Sequence, residues 1–180
     1  MDARRDPPPP LKPADLERLA LRYVERYATT RAKLADYLAR KLRERGWAGE
    51  GAADPRALAE RMAELGYVDD RLYAQAKAGA MARRGLGGRR VRQALRFAGV
   101  EDADAEAIAP DTIGDGVASA LAFARRRRFG PYAVAPADRP LREKQLAAMV
   151  RAGHAPGLAR TILGMAPGDD AEALLQASQS

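Results

Sequence analysis

The residue types that most often carry out enzyme chemistry are scarce in this sequence. The 180-residue chain has no cysteine and a single histidine, His154, directly after Gly153. Without cysteine there is no thiolate nucleophile, thiolate metal ligand or disulfide, and a histidine needs an orienting partner to act as a general acid or base. We therefore assign His154 to capping or packing and predict that the protein is not an enzyme.

Nine of the 24 acidic residues cluster in three groups, and each group falls at the predicted start of a helix. The groups are Asp69-Asp70, residues 101–106 and residues 169–172. Acidic side chains in a first helical turn complement the helix dipole, and their spacing here does not match a calcium-binding loop. We therefore predict no metal ion and no cofactor, and we assign Asp69 to helix capping.

A glycine-rich segment, residues 85–88 (Gly-Leu-Gly-Gly), is a further candidate for a chemical site. It lacks the Lys-Ser/Thr pair of a nucleotide-binding loop and is typical of a turn between two helices. The N–H groups of the helix that follows, next to Arg89 and Arg90, could still accept a phosphate.

Arginine gives the clearest functional signal because it is segregated along the chain. Residues 81–100 contain six arginines and no acidic residue, whereas residues 101–115 contain six acidic residues and no base. Most charged stripes are solvated surface, but a run of arginines without a balancing acid favours a binding surface. The net charge of +7 and the isoelectric point near 10.0 indicate a polyanion or an acidic protein as the partner.

The arginines of this middle segment follow a helical spacing. Arg89, Arg92 and Arg96 stand at positions i, i+3 and i+7 and share one helix face, opposite Val91 and Leu95. This face is the predicted centre of binding. The full set of predicted binding residues is Arg31, Arg40, Arg43, Arg83, Arg84, Arg89, Arg92, Arg96, Arg126, Arg128 and Lys144.

Aromatic side chains that could stack on unpaired bases are few. The chain has three phenylalanines and one tryptophan, and Trp47, Tyr67 and Phe97 stand where core packing is expected. Tyr73 and Leu95 are also assigned to the core. We therefore expect attachment through charge, without base-specific readout.

The elements that position these residues are predicted to be helices in a threefold repeat. Apolar residues recur at spacings of three and four, and no alternating run predicts a strand. Gly46, Gly99 and Gly153, each at the predicted end of a second helix, are 53 and 54 residues apart. The predicted fold class is all-α, with three tandem three-helix repeats in an elongated, curved array.

The predicted boundaries follow from these breaks. A disordered, Pro-rich tail covers residues 1–13, three-helix repeats cover 14–66, 67–110 and 111–165, and a C-terminal tail covers 166–180. The first residues lack the apolar core of a signal peptide, and no segment approaches membrane-spanning length. We predict a cytoplasmic protein with no membrane partner.

The segment at residues 66–74 (GYVDDRLYA) is followed in order by several shorter motifs, from Gly87 to residues 151–153. In this order and spacing they resemble the RecX family, bacterial regulators of the RecA recombinase. Residues 66–74 (GYVDDRLYA) are similar to the family's glycine, apolar, Asp-Asp, aromatic, Ala signature, although Tyr73 stands where phenylalanine is usual. His154 stands where an aromatic residue usually follows glycine. The other matching positions are Gly87, Arg90-Val91, Leu95, Gly99-Val100, residues 128–130, Lys144 and residues 151–153.

The resemblance implies a modulator, usually an inhibitor, of RecA. Such a protein would bind the RecA filament on single-stranded DNA along its helical groove. It would damp recombination, ATP hydrolysis and the SOS co-protease activity. We expect a monomer whose arginines contact the recombinase, DNA within or beside the filament, or both. The alternatives are a stand-alone DNA- or RNA-binding protein without sequence specificity, and an adaptor for another protein.

Overall fold

The computed structural model describes residues 9–108 and 113–177, apart from the side chains at 107 and 113–115. These residues contain ten α-helices and no β-strand, which confirms the all-α class. None of the helices in these ranges is long and apolar enough to cross a membrane. The helices are α1 (Pro13–Arg26), α2 (Arg31–Arg45), α3 (Pro55–Glu64), α4 (Asp70–Arg83), α5 (Gly88–Phe97), α6 (Asp102–Ile108), α7 (Ile113–Arg127), α8 (Arg139–Arg151), α9 (Pro156–Gly164) and α10 (Ala171–Ala177).

The repeat is visible in how the second helix of each triplet ends. Helices α2, α5 and α8 each run into a glycine with positive φ: 81° at Gly46, 75° at Gly99 and 101° at Gly153. Only glycine adopts this left-handed conformation without a steric cost. The glycine spacing in the sequence therefore marks a recurring backbone requirement.

Side chains cap the starts of α2, α3 and α4, including the predicted cap at Asp69. The Thr30 hydroxyl accepts a hydrogen bond from the Lys33 N–H at 3.2 Å. The carboxylate of Asp54 accepts N–H groups from the first turn of α3. The carboxylate of Asp69 likewise accepts the Leu72 N–H at 2.8 Å. Each cap satisfies backbone donors that have no partner inside the helix.

The helices assemble into two compact units. The first unit runs through Tyr73 and also includes Ala98–Val100. Within it, the Thr30 hydroxyl donates to the Ala98 carbonyl, and Gly99 lies directly against Ala32. Its core is formed by α1, α2 and α3 and contains Leu16, Leu34, Leu38, Leu58, Met62 and Val68.

The second unit comprises Ala74–Phe97 and the described residues from Glu101 onward. Predicted repeat 67–110 is therefore shared between the two units. The main core of the second unit lies among α7, α8 and α9, where Leu121, Phe123, Met149, Ile162 and Leu163 are buried.

Both predicted tails contain folded segments. Leu11 is fully buried, its N–H donates to the Gly46 carbonyl at 3.0 Å, and its carbonyl accepts the Ala48 N–H at 2.9 Å. The predicted C-terminal tail contains α10, which buries Ala171 against the second core. In each case a few apolar residues supply the anchor, too few to form a periodic pattern. The rest of the predicted tails, residues 1–8 and 178–180, lies outside the described residues.

Candidate arginine-lined interface

Helix α5 has the two faces that its sequence predicts. Val91 and Leu95 are fully buried, whereas Arg89 and Arg96 are exposed. Leu95 is therefore a core residue, as expected. Tyr73 is only half-buried, and its hydroxyl accepts a hydrogen bond from Lys33 Nζ at 2.6 Å.

A concavity of about 530 Å³ opens beside the basic face of α5. Its lining includes five arginines and no acidic residue. Three of them, Arg89, Arg92 and Arg96, form the predicted stripe. We call this feature the arginine concavity, and it is lined by Arg89, Arg90, Arg92, Gln93, Arg96, Phe97, Arg151 and Gly153.

The turn before α5 packs against the turn after α8 and places α5 beside the end of α8. The Gly87 N–H donates to the Ala152 carbonyl at 2.9 Å, and the Arg89 N–H donates to the Gly153 carbonyl at 3.3 Å. A Cβ atom on Gly87 would overlap the backbone of Gly153, and one on Gly153 would lie 2.6 Å from the Arg90 nitrogen. Close backbone approach therefore requires glycine on both sides, and it brings Arg151 to the basic face of α5.

His154 belongs to this junction. The residue is 5% exposed, its Nε2–H donates to the Gly85 carbonyl at 3.0 Å, and its ring centroid lies 5.6 Å from that of Phe123. Burial lowers the pKa of His154 and outweighs the opposing effect of the Gly85 hydrogen bond. The imidazole is therefore a neutral packing residue, as its sequence context predicts. Nowhere in the described ranges do three or more acidic or histidine side chains converge as metal ligands.

The acidic run that follows α5 folds back on its arginines. Arg96 Nε lies 2.6 Å from Asp102 Oδ1, and Arg92 Nε lies 3.4 Å from Glu106 Oε2. The sequence assigned these carboxylates to a helix start alone, so their pairing with α5 is a correction. The Arg96 side chain is 54% exposed, and that of Arg92 only 19%. An exposed pair such as Arg96–Asp102 is worth about 0–1 kcal/mol and yields readily to a competing anion.

Phe97 is 85% exposed, which contradicts its assignment to the core. The reason is helical phase, because Phe97 follows buried Leu95 by two positions and points about 200° away around the helix. Tyr67, 55% exposed, was also wrongly assigned. Trp47 packs against the first core as expected, with its Nε1–H donating to the Gly51 carbonyl at 3.0 Å.

Arg31, a predicted binding residue, is held within the first unit. Its guanidinium lies 3.0 Å from Glu60 and 3.2 Å from Asp70, and its backbone N–H donates to Asp70 at 2.8 Å. Hydrogen bonds to Glu60 and Asp70 raise the pKa of Arg31. This arginine ties α2 to α3 and to the start of α4, a role that sequence spacing did not predict.

The remaining predicted residues are exposed but do not line the concavity. On α2, Arg40 lies 3.7 Å from Glu44, and Arg43 is exposed. The others are exposed near helix ends or on α8 and comprise Arg83, Arg84, Arg126, Arg128 and Lys144.

Five lining residues are absent from the predicted binding set, namely Arg90, Gln93, Phe97, Arg151 and Gly153. Arg90 lies in the same basic run as the predicted arginines, so the sequence could have identified it. Arg151 is brought in only by the docking of the two turns, which a linear pattern does not encode.

Comparisons with known proteins agree on one family. A family model described as "RecX, second three-helix domain" matches residues 69–107, a segment that contains α5. The regulatory protein RecX of Myxococcus xanthus (strain DK1622) is 33% identical over 169 residues, 89% of this chain and 90% of that protein. The regulatory protein RecX of Halorhodospira halophila is 33% identical over 84% of this chain and 88% of its own length.

A solved structure is similar as well. The crystal structure of RecX from Lactobacillus salivarius superposes with a TM-score of 0.61 at 19% identity, covering 84% of this chain and 94% of that one. At this level of identity the likeness concerns the fold.

Proposed function

This chain belongs to the RecX family of regulatory proteins, and from that premise we propose that it modulates the RecA recombinase, acting as an inhibitor. In this proposal the protein binds the RecA filament on single-stranded DNA along its groove. It thereby damps recombination, filament-dependent ATP hydrolysis and the SOS co-protease activity. It works as a cytoplasmic monomer and catalyses no reaction of its own.

The arginine concavity is the observation that supports this proposal most directly. It lies on the segment that the family model matches, and it gathers five guanidinium groups at one place on the second unit. Guanidinium is well suited to phosphate and carboxylate because its N–H donors form a rigid fork. DNA phosphates in the groove and acidic patches of the recombinase are both suitable partners.

The deciding experiment is DNA-dependent ATP hydrolysis by the cognate recombinase, with this protein added well below one copy per recombinase subunit. We expect the rate to fall, because a protein that blocks a filament acts on many subunits at once. An unchanged rate, together with tight and salt-sensitive binding to DNA alone, would reject the regulator proposal.

Charge reversal in the concavity tests which surface is responsible. Arg90, Arg96 and Arg151 are suitable because their side chains are exposed, whereas Arg89 donates to the Val150 carbonyl and Arg92 is largely covered. We expect R90E/R96E/R151E to abolish inhibition and to keep the helical circular-dichroism signal. A matched control, R22E/R56E/R71E, makes the same change in net charge on exposed residues of the first unit. Equal loss of inhibition in both variants would place the contact elsewhere.

A stand-alone nucleic-acid-binding protein is the second candidate function. The arginine concavity supports it too, since capture of phosphates by five arginines needs no recombinase. This candidate predicts tight, salt-sensitive binding to DNA alone and no effect on ATP hydrolysis when the protein is well below one copy per recombinase subunit.

A further inference from the structure

An exposed phenylalanine in a basic site calls for a specific explanation. Phe97 adds nothing to the buried face of α5, which Val91 and Leu95 supply, and it leaves 85% of its surface in water. It lines the same concavity as Arg90, Arg96 and Arg151. A purely electrostatic docking surface has no use for an aromatic face at this position.

The arginines of the concavity retain N–H donors that could bind a phosphate group. Arg96 uses Nε to bond Asp102 at 2.6 Å, and Arg90 uses one terminal nitrogen to bond Gln93 at 2.9 Å. A guanidinium has five N–H donors in a fixed fork, so one hydrogen bond leaves several donors for a second acceptor. The hydrogen bond to the neutral Gln93 amide holds Arg90 in place and so reduces the entropic cost of binding an anion there.

The dimensions suit a short stretch of nucleic acid. The stripe from Arg89 to Arg96 covers about 10 Å of helix axis at 1.5 Å per residue. The volume of about 530 Å³ falls within the range of about 300–1,000 Å³ that is typical of small-ligand sites.

We propose that the arginine concavity binds a single strand of nucleic acid, with backbone phosphates on its guanidinium groups and one base stacked on Phe97. Single-strand sites combine these two elements, a cationic track for the backbone and an aromatic platform for the base. In a duplex the base faces are covered by stacking, and an acidic peptide presents no planar ring. The combination therefore favours an unpaired strand. The inference deepens the proposed function, and it rests on that function in making the filament's own DNA the ligand in the cell.

The first test uses the full-length protein without recombinase. Binding to a fluorescein-labelled oligothymidine is compared with binding to an abasic oligomer of equal length, which has the same phosphates and no bases. We expect F97A to weaken oligothymidine binding by about five- to hundredfold. Its affinity for the abasic oligomer should stay the same. Because Phe97 is exposed, thermal unfolding of the variant should match that of the wild type.

Two further variants separate stacking from general surface effects. F97W should restore oligothymidine binding, since a larger ring stacks at least as well. Y67A removes a 55% exposed aromatic residue of the first unit and should change neither affinity. Equal binding of F97A and wild type to oligothymidine would overturn the proposal, and so would failure of F97W to restore binding.

The phosphate-binding role of the arginines is tested by salt dependence. R90A/R96A/R151A should weaken binding to both oligomers and should flatten the plot of log affinity against log salt, by about 0.7 for each phosphate that the variant no longer binds. R22A/R56A/R71A is the charge-matched control. An equal loss of affinity in the control would show that net charge alone causes the effect, and it would reject the arginine concavity as the binding site. Tighter binding of polyglutamate that is independent of Phe97 would instead identify an acidic protein as the partner.

These outcomes separate the inference from the proposed function. Inhibition of RecA ATP hydrolysis by both wild type and F97A, with no effect of F97A on oligothymidine binding, would reject stacking and leave the regulator intact. Phe97-dependent DNA binding without inhibition of ATP hydrolysis would reject the regulator proposal and support base stacking on Phe97.

Discussion

The guanidinium of Arg96 lies 2.6 Å from the carboxylate of Asp102, so the acidic segment after α5 partly neutralises the basic face of that helix. A second pair, Arg92 with Glu106 at 3.4 Å, repeats the arrangement one turn earlier on α5. The strong segregation of charge along the sequence is thus reduced in space. An anionic partner must compete with these two carboxylates for the arginines.

Removal of the competing carboxylates should strengthen binding. We expect D102N/E106Q to bind single-stranded DNA several-fold more tightly at low salt, because the field of the arginines is no longer offset. The cost to folding should stay below about 1 kcal/mol for the exposed Arg96–Asp102 pair, and it should be larger for Glu106, because its partner Arg92 is only 19% exposed. Fluorescence anisotropy measures the affinity. D36N/E50Q, on exposed first-unit residues, makes the same change in net charge and should have a smaller effect.

The docked turns should tolerate no side chain. In G153A the new Cβ would face the Arg90 backbone at 2.6 Å on a residue with φ of 101°, so we expect the variant to be destabilised by about 1–3 kcal/mol. Thermal denaturation of the second unit measures this change. A Cβ on Gly157 in α9 meets no atom within 4 Å, so G157A should be neutral or slightly stabilising. Equal stability of the two variants would contradict the packing described.

His154 should make stability depend on pH. Burial lowers its pKa in the folded state, so the unfolded chain binds a proton more readily. Its contribution is therefore complete above the usual histidine value of about 6.5 and is lost as the pH falls through the lower folded-state value. Chemical denaturation between pH 8 and pH 5 measures the trend. H154Q should reduce this slope, and an unchanged slope would show that other groups cause it.

Arg31 should act on stability, with little effect on binding. R31A removes the ion pairs with Glu60 and Asp70, and we expect a modest destabilisation of about 1 kcal/mol because the Arg31 side chain is 36% exposed. DNA affinity and inhibition should stay near wild-type values. A double-mutant cycle with D70N measures the coupling. Strongly reduced DNA affinity in a folded R31A variant would show that Arg31 takes part in binding after all.

Much of the fold was predictable because its signals are local. The caps at Thr30, Asp54 and Asp69 follow from side chains that bond the first turn of a helix, and Gly46, Gly99 and Gly153 mark positive φ. Each of these features depends on a residue and its immediate neighbours. They mark where individual helices begin and end.

The candidate site was less predictable because tertiary contacts complete it. The stripe of Arg89, Arg92 and Arg96 follows from spacing on one helix, and it was found. Arg151 joins it through turns more than sixty residues apart in sequence, and Asp102 and Glu106 reach it only after α6 folds back. Phe97 was misassigned because a large aromatic residue next to a basic stripe is ordinarily buried.

The return of Ala98–Val100 to the first unit has a consequence for synthesis on the ribosome. Thr30 obtains its partner, the Ala98 carbonyl, only after α5 has been made, and Ala32 meets Gly99 at the same stage. The first three helices therefore emerge before the segment that completes their packing. An arrested nascent chain should gain further resistance to proteolysis once Val100 has left the exit tunnel, and a fragment that stops at residue 66 should unfold at a lower temperature than the same unit in the whole protein.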